Sequence, residues 1–199
     1  MNVVTRGFHG RGGQDPARVP PGQYETHDFP VLSAGPTPRV GTDEWTFTVA
    51  SETGETRVWT WEEFRALPQE HPRVDIHCVT RWSKLDTEWA GVSLDVLLED
   101  VETTAEYALA ASYGGYTTNL PLQDLTDGQA WVVHTFDGEP LAAEHGGPAR
   151  LLVPHLYFWK SAKWVRGISL LHQDEPGFWE QAGYHDYGDP WREQRYRGD

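Results

Sequence analysis

The chain has 199 residues with 16 Lys and Arg against 30 Asp and Glu, a formal charge of −14 at neutral pH. That length suits one domain with a sizeable core, and 38 % hydrophobic residues with ten Trp mark a globular chain. The acidity argues against a nucleic-acid binder or a polybasic membrane-surface protein, and a single cysteine excludes a disulfide framework or a multi-cysteine metal cluster.

Residues 1–23 are rich in Gly and Pro and are expected to form an extended arm, with the domain proper running from 24 to 199. The start carries no apolar run of secretory length and no adjacent arginine pair, and nowhere do 18 apolar residues follow one another. The expectation is a cytoplasmic protein with no membrane span. Phe29, Val31 and Leu32, spaced by prolines, suggest a segment pinned against a core. Trp45-Thr46-Phe47-Thr48-Val49 alternates as a half-buried strand does, and Thr56–Trp59 can pair back on it across the Glu52–Glu55 turn. Thr60-Trp61-Glu62-Glu63 matches a capping box, which predicts a short helix as far as Leu67 before Pro68.

Further along, Arg73–Val79 reads as a strand that opens into a polar loop, Thr80–Ser83. Ser93 can cap a short helix over Leu94–Leu98. Tyr107–Ser112, Ala130–His134, Ala149–Val153 and Trp164–Leu171 complete the strand candidates. Strands dominate, helices are short and no βαβ rhythm appears, so the fold class is α+β, mixed and strand-rich, in one domain.

Cys78, at the end of a strand-like run, is either a buried structural thiol or a side chain presented to a site. His77 cannot act as its base, because neighbouring strand residues face opposite ways; a Cys-dependent hydrolase would need a distant His. From His145 to Gln173 there is no Asp or Glu, while Arg150, Lys160, Lys163 and Arg166 all fall there, beside Gly146-Gly147-Pro148. Either this is a solvated basic face or it is a cradle for an anionic small molecule, and the interleaved Leu151, Val153, Trp159 and Trp164 favour the cradle. A soft thiolate beside an anion cradle suits a metal that arrives on a phosphorylated organic ligand.

Four runs, in order, carry a resemblance: Cys78–Ser83, Tyr113–Leu122, His145–Arg150 and Lys160–Trp164. Together they resemble the molybdopterin-binding domain of the sulfite oxidase superfamily, over roughly residues 24–199. The nearest pattern is that of compact bacterial oxidoreductases without haem or dimerisation domains, such as the catalytic subunit of molybdenum-dependent methionine sulfoxide reductase.

The resemblance implies a Mo-molybdopterin cofactor whose molybdenum takes Cys78 as its protein ligand. It also implies pterin and phosphate contacts from His145, Arg150, Ser161, Ala162 and Lys163, with Thr118, Pro30 and Val31 nearby. Tyr184 falls where the family carries an active-site tyrosine. Leu32 and Ala34 fall where sulfite oxidases carry an arginine and a histidine that bind the oxyanion, which argues against sulfite; Arg81 is a candidate to replace that charge.

The activity implied is oxygen-atom transfer, or a related two-electron step, on a small-molecule substrate. With no haem, flavin or iron–sulfur motif in the chain, a separate electron-transfer protein is expected. A cofactor carrier without turnover and a metal-free Cys-dependent hydrolase are the alternatives.

Overall fold

The structure, a computed structural model, describes residues 17–199; the expected arm before residue 17 lies outside them. A short strand β1 (Tyr24–Glu25) comes first, followed by β2 (Thr46–Ala50), where the expected alternation buries Phe47 and Val49. β2 turns back on β3 (Thr56–Thr60) as an antiparallel hairpin. Thr60 then caps α1 (Trp61–Ala66): its hydroxyl accepts from the Glu63 amide while its own amide donates to the Glu63 carboxylate at 2.8 Å. The cap aims Phe64 into the core, 5.0 Å from the Trp45 ring. Thr60→Ala removes half of this reciprocal pair. It is expected to cost about 1 kcal/mol, a fall in Tm of roughly 2–4 °C for a domain of this size, read by calorimetry.

The chain continues through β4 (Arg73–His77), β5 (Trp82–Ser93) and α2 (Leu94–Leu98), whose cap is the predicted Ser93, accepting from the Asp95 amide. Next come β6 (Tyr107–Ser112), β7 (Thr117–Pro121), β8 (Trp131–Phe136) and β9 (Glu139–Pro140). β10 (Arg150–Leu152), β11 (Val165–Leu171) and the short α3 (Phe178–Gln181) follow. One sheet has the order β1-β5-β8-β10, with β4 also on β5 and β9 on β8; the other runs β3-β2-β11-β6-β7. β1–β5 and β2–β11 pair in parallel and the remaining pairs are antiparallel. This is the mixed, strand-rich α+β domain that the pattern implied.

The sequence pattern misses β5, the strand on which the first sheet is built. Its first half pairs with β4 and its second with β8, and register shifts at Val74/Ile76 and Ala90/Gly91 interrupt both ladders. Each shift breaks the period-2 signal, and the polar Lys84, Asp86 and Glu88 hide what remains. So the expected polar loop at 80–83 shrinks to a tight turn, and Trp82 and Ser83 already belong to β5.

A large buried cluster takes residues from both sheets, including Phe47, Val92, Val132, Leu151 and Ile168, together with Phe64 and Leu97 from the helices. A second, more aromatic cluster holds Ile76, Cys78, Trp82, Trp89 and Phe158. Cys78 therefore stands on a rigid, packed support.

Candidate active site

Cys78 lies at the corner between β4 and β5. Its amide donates to the Trp82 carbonyl at 2.8 Å, and the Arg81 amide donates to the Cys78 carbonyl at 2.9 Å. As expected for adjacent strand residues, His77 and Cys78 point apart. His77 hydrogen-bonds Ser83 Oγ through Nδ1 at 2.8 Å, whereas Cys78 lines a cavity of about 530 Å³. The side-chain contact to Sγ comes from Thr80, whose Oγ1 donates at 3.1 Å. Burial pushes the Cys78 thiol above its ordinary pKa, with the Thr80 bond opposing.

Arg150, Phe158, Ser161, Ala162 and Lys163 line the same cavity. Arg150 opens β10 and is 1 % exposed. Its Nη1 donates to the His145 carbonyl at 2.8 Å and its Nη2 to the Ser161 carbonyl at 2.6 Å, with the guanidinium 4.0 Å over the Phe158 ring. Among the described residues it has no carboxylate partner. Burial pulls it down to about 9, so it is still a cation at neutral pH. Lys163 donates to the carbonyls of Leu32 and Glu144 at 2.7 and 2.6 Å; burial, then the field of Arg150, pulls it down to about 8. Gly146, at φ +112°, lets the two cations pack together, since a Cβ there would press on Lys163 and on the Arg150 side chain.

The other two cations of the acid-free stretch do not join them. Arg166 is exposed. Lys160 is fully buried against the fully buried Glu180 of α3, 2.7 Å away, and also donates to the Asn119 and Asp186 carbonyls. The Glu180 Oε1 that faces Lys160 accepts from Thr118 Oγ1 and Trp159 Nε1 as well, at 2.9 and 2.8 Å. Thr118, expected near the pterin, is therefore part of this structural network and is not on the cavity wall.

Glu180→Gln keeps the shape and an acceptor oxygen but strands the Lys160 charge, so it is expected to destabilise by about 3–5 kcal/mol. Burial already pulls Lys160 below its ordinary pKa in the presence of Glu180, and without the carboxylate it falls further. In the variant the native state therefore binds fewer protons than the unfolded chain, so stability should rise with pH and the gap to wild type should narrow. Denaturant titrations at pH 6 and pH 9 check both the size and the sign.

A strap of chain from Phe29 to Pro38 closes one side of the cavity, with Pro30, Leu32 and Ala34 on the wall and Val31 turned out, half exposed. Phe29 is wedged among Trp82, Trp89 and Phe136 and stacks on the His145 ring at 3.9 Å. His145 is thus behind Phe29 and not on the wall; its Nδ1 is buried without a partner. Tyr184 lines the rim beside Trp179, 4.9 Å from that ring, and burial raises its pKa, so the phenol keeps its proton at neutral pH. Arg81 sits in the left-handed region at φ +76° and is exposed, and although its amide bonds the Cys78 carbonyl it is not among the residues lining the cavity. Sequence reasoning missed Thr80, Trp82, Tyr116, Phe158 and Trp179 on the wall. Four of the five are aromatic, a signal shared with any aromatic core, and Phe158 and Trp179 fall outside the four runs.

The donor set fits a cofactor that carries both negative charge and its own metal ligands. An uncompensated buried guanidinium calls for an anion, and the indole N–H of Trp82, on the cavity wall, is buried without an acceptor. No group of three or more His, Cys, Asp and Glu could hold a metal among the described residues, which leaves Cys78 as one soft donor for a metal otherwise ligated by the cofactor.

The family model "oxidoreductase molybdopterin binding domain" matches residues 34–179. The chain is 42 % identical over 192 residues to the "uncharacterized oxidoreductase YuiH" of Bacillus subtilis (strain 168), covering 95 % of this chain and 97 % of that one. It is 28 % identical to the protein-methionine-sulfoxide reductase catalytic subunit MsrP of Pseudomonas syringae pv. tomato, over 80 % of this chain and 52 % of the relative. It is also 27 % identical to the putative protein-methionine-sulfoxide reductase subunit YedZ1 of Azospira oryzae, over 70 % and 54 %. The chain thus spans about half the length of these last two. The sulfane dehydrogenase SoxCD of Paracoccus pantotrophus shares the fold, with a TM-score of 0.62 at 19 % identity over 69 % of this chain and 41 % of that one. No helix among the described residues is long and apolar enough to cross a membrane. The chain belongs to the oxidoreductase molybdopterin-binding domain family of the sulfite oxidase superfamily.

Proposed function

We propose that this chain binds Mo-molybdopterin with Cys78 as the protein ligand of the metal, and that it carries out oxygen-atom transfer or a related two-electron step on a small molecule other than sulfite. The observation that carries the reading is the meeting of the Cys78 thiol and the uncompensated Arg150 cation in the lining of one cavity. When bound, the cofactor supplies a metal able to gain or lose two electrons.

The chain's own residues do the rest. Arg150 and Lys163 neutralise the cofactor's anionic group. Thr80 orients Sγ through its hydroxyl, and burial favours the neutral thiol; a metal held there would favour the thiolate, the displaced proton leaving to solvent. The same geometry counts against a thiol hydrolase, since the hydrogen-bond partner of Sγ is a hydroxyl and not an imidazole. Tyr184 holds a proton on its phenol at the rim, where a substrate oxygen can accept a hydrogen bond. The aromatic rim of Phe178, Trp179 and Tyr184 excludes water.

The substrate side of the wall is apolar at Leu32 and Ala34. Neither side chain offers sulfite a donor, and the nearby Lys163 is assigned to the cofactor's anionic group, so an uncharged substrate suits this stretch better. Electrons pass to or from a separate protein; the relatives MsrP and YedZ1 are themselves named as subunits.

The test is molybdenum analysis of the full chain co-expressed with cofactor biosynthesis, followed by turnover with artificial electron donors and acceptors. Near-stoichiometric metal with redox turnover is expected. Metal without turnover on any donor or acceptor would leave a carrier, and a metal-free chain beside a loaded control would overturn the reading.

A further inference from the structure

Three stretches of chain meet beneath the Cys78 turn, and Gln23 stands at their junction. Its Nε2 donates to the Cys78 carbonyl at 3.0 Å and to the Trp82 carbonyl at 3.1 Å. These are the two main-chain oxygens that close the turn, accepting from the Arg81 and Cys78 amides respectively. Its Oε1 accepts from Arg195 Nη2 at 3.1 Å. That contact fixes the amide's orientation, because the flipped form would set N–H against guanidinium and oxygen against two carbonyls. Arg195 is itself buried, with Nη1 on the Glu193 carboxylate at 3.0 Å and the guanidinium 5.3 Å from the Tyr157 ring. The flanking backbone grips the same turn: the Tyr24 amide donates to the Arg81 carbonyl and the Thr26 amide to the Ser83 carbonyl, both at 2.8 Å. Gly22, at φ +71°, brings the chain so close to the C-terminal segment that a Cβ would strike Glu193 Oε1.

A tight turn closed by its own hydrogen bonds has a fixed internal shape but can still rock as a unit against the sheet. Gln23 bonds both closing carbonyls from outside, and Arg195 fixes Gln23 in turn. We propose that Gln23, anchored by Arg195, is a positioning residue that sets where Cys78 Sγ stands on the cavity wall. The segment before β1 and the C-terminal segment act as the two jaws of one clamp on the metal-ligand turn. The inference rests on the reading of Cys78 as the thiolate ligand, but its test needs no metal.

Cys78 is the one cysteine in the chain, so alkylation by iodoacetamide reports on it alone. In the full chain prepared without cofactor, Gln23→Met should speed alkylation about tenfold, the effect of losing two modest hydrogen bonds from a local opening equilibrium. Arg195→Met should accelerate it several-fold, while Arg195→Lys, which can still donate to Gln23 Oε1, should stay within about twofold of wild type. Thr60→Ala lowers global stability without touching the turn and should leave the rate unchanged. A wild-type rate in Gln23→Met, or an equal acceleration in Thr60→Ala, would overturn the proposal. Should Gln23→Met not fold, the Arg195 pair decides: a faster Met variant beside an unchanged Lys variant supports it, and equal rates sink it. Failure of the ligand reading shows elsewhere, as metal retained by Cys78→Ser, and leaves the alkylation result standing.

Discussion

Cys78→Ser should give a folded chain that has lost its molybdenum. Sulfur and oxygen differ little in size, and a serine hydroxyl at this corner can still bond the Thr80 Oγ1 that now donates to Sγ. The cost to the fold is therefore small, about 1–2 kcal/mol for a hydroxyl in a site that is 8 % exposed. The cost to the metal is large, because a hard alcohol with a pKa far above neutrality replaces a soft thiolate. Metal per chain is expected to fall at least about tenfold, and turnover with it to background. On the proposed reading Arg150 and Lys163 hold the organic part of the cofactor, so the pterin, measured by fluorescence after oxidative release, should fall less than the metal. Full molybdenum occupancy with persisting turnover would remove Cys78 from the ligand role.

What could be read in the sequence follows from which signals are local. The capping box at Thr60, the N-cap at Ser93, the alternation through Phe47 and Val49 and the run Tyr107–Ser112 each depend on a few neighbouring residues, and each appears where expected. β5 was hidden because it changes partner midway, with register irregularities in both ladders that interrupt the alternation by which a strand is read. The cation cluster divides for the same kind of reason. Nothing within residues 145–173 reveals that Lys160 is neutralised, since its partner Glu180 lies in α3. Thr118 was placed at the cofactor by motif and is turned away by that same carboxylate. Arg81 was chosen for its spacing from Cys78, but the positive φ of the turn directs the chain so that it ends up exposed. The residues alone brought Cys78, Arg150 and Lys163 to attention and the family resemblance added Ser161, Ala162 and Tyr184, and one cavity gathers all six. The aromatic lining and the Gln23–Arg195 clamp depend on contacts between distant segments, for which a lone sequence carries no signal.

Arg150→Met should separate cofactor retention from folding, in the opposite sense to Glu180→Gln. Both Arg150 and Lys160 are buried cations, but Lys160 has a carboxylate and Arg150 has only main-chain carbonyls and the Phe158 ring. Removing Arg150 loses hydrogen bonds worth about 1 kcal/mol each. It also relieves the desolvation of a charge without a counter-ion, a cost of several kcal/mol. The two oppose each other, and the cofactor-free variant should unfold within about 2 kcal/mol of wild type. An anion in the cavity reverses the balance, because the guanidinium then meets negative charge in a dry site. Truncating one partner of such a buried, charge-assisted pair costs about 2–5 kcal/mol, or roughly 30-fold or more in retention. Cofactor loading should therefore raise the Tm of wild type and do so little or not at all in Arg150→Met. Arg150→Lys should fall between them, since a single ammonium cannot serve the His145 and Ser161 carbonyls and the anion in the fixed fork that a guanidinium offers. Equal pterin retention by wild type and Arg150→Met would mean that the buried cation serves the apo fold alone, and the cradle would have to be sought elsewhere on the wall.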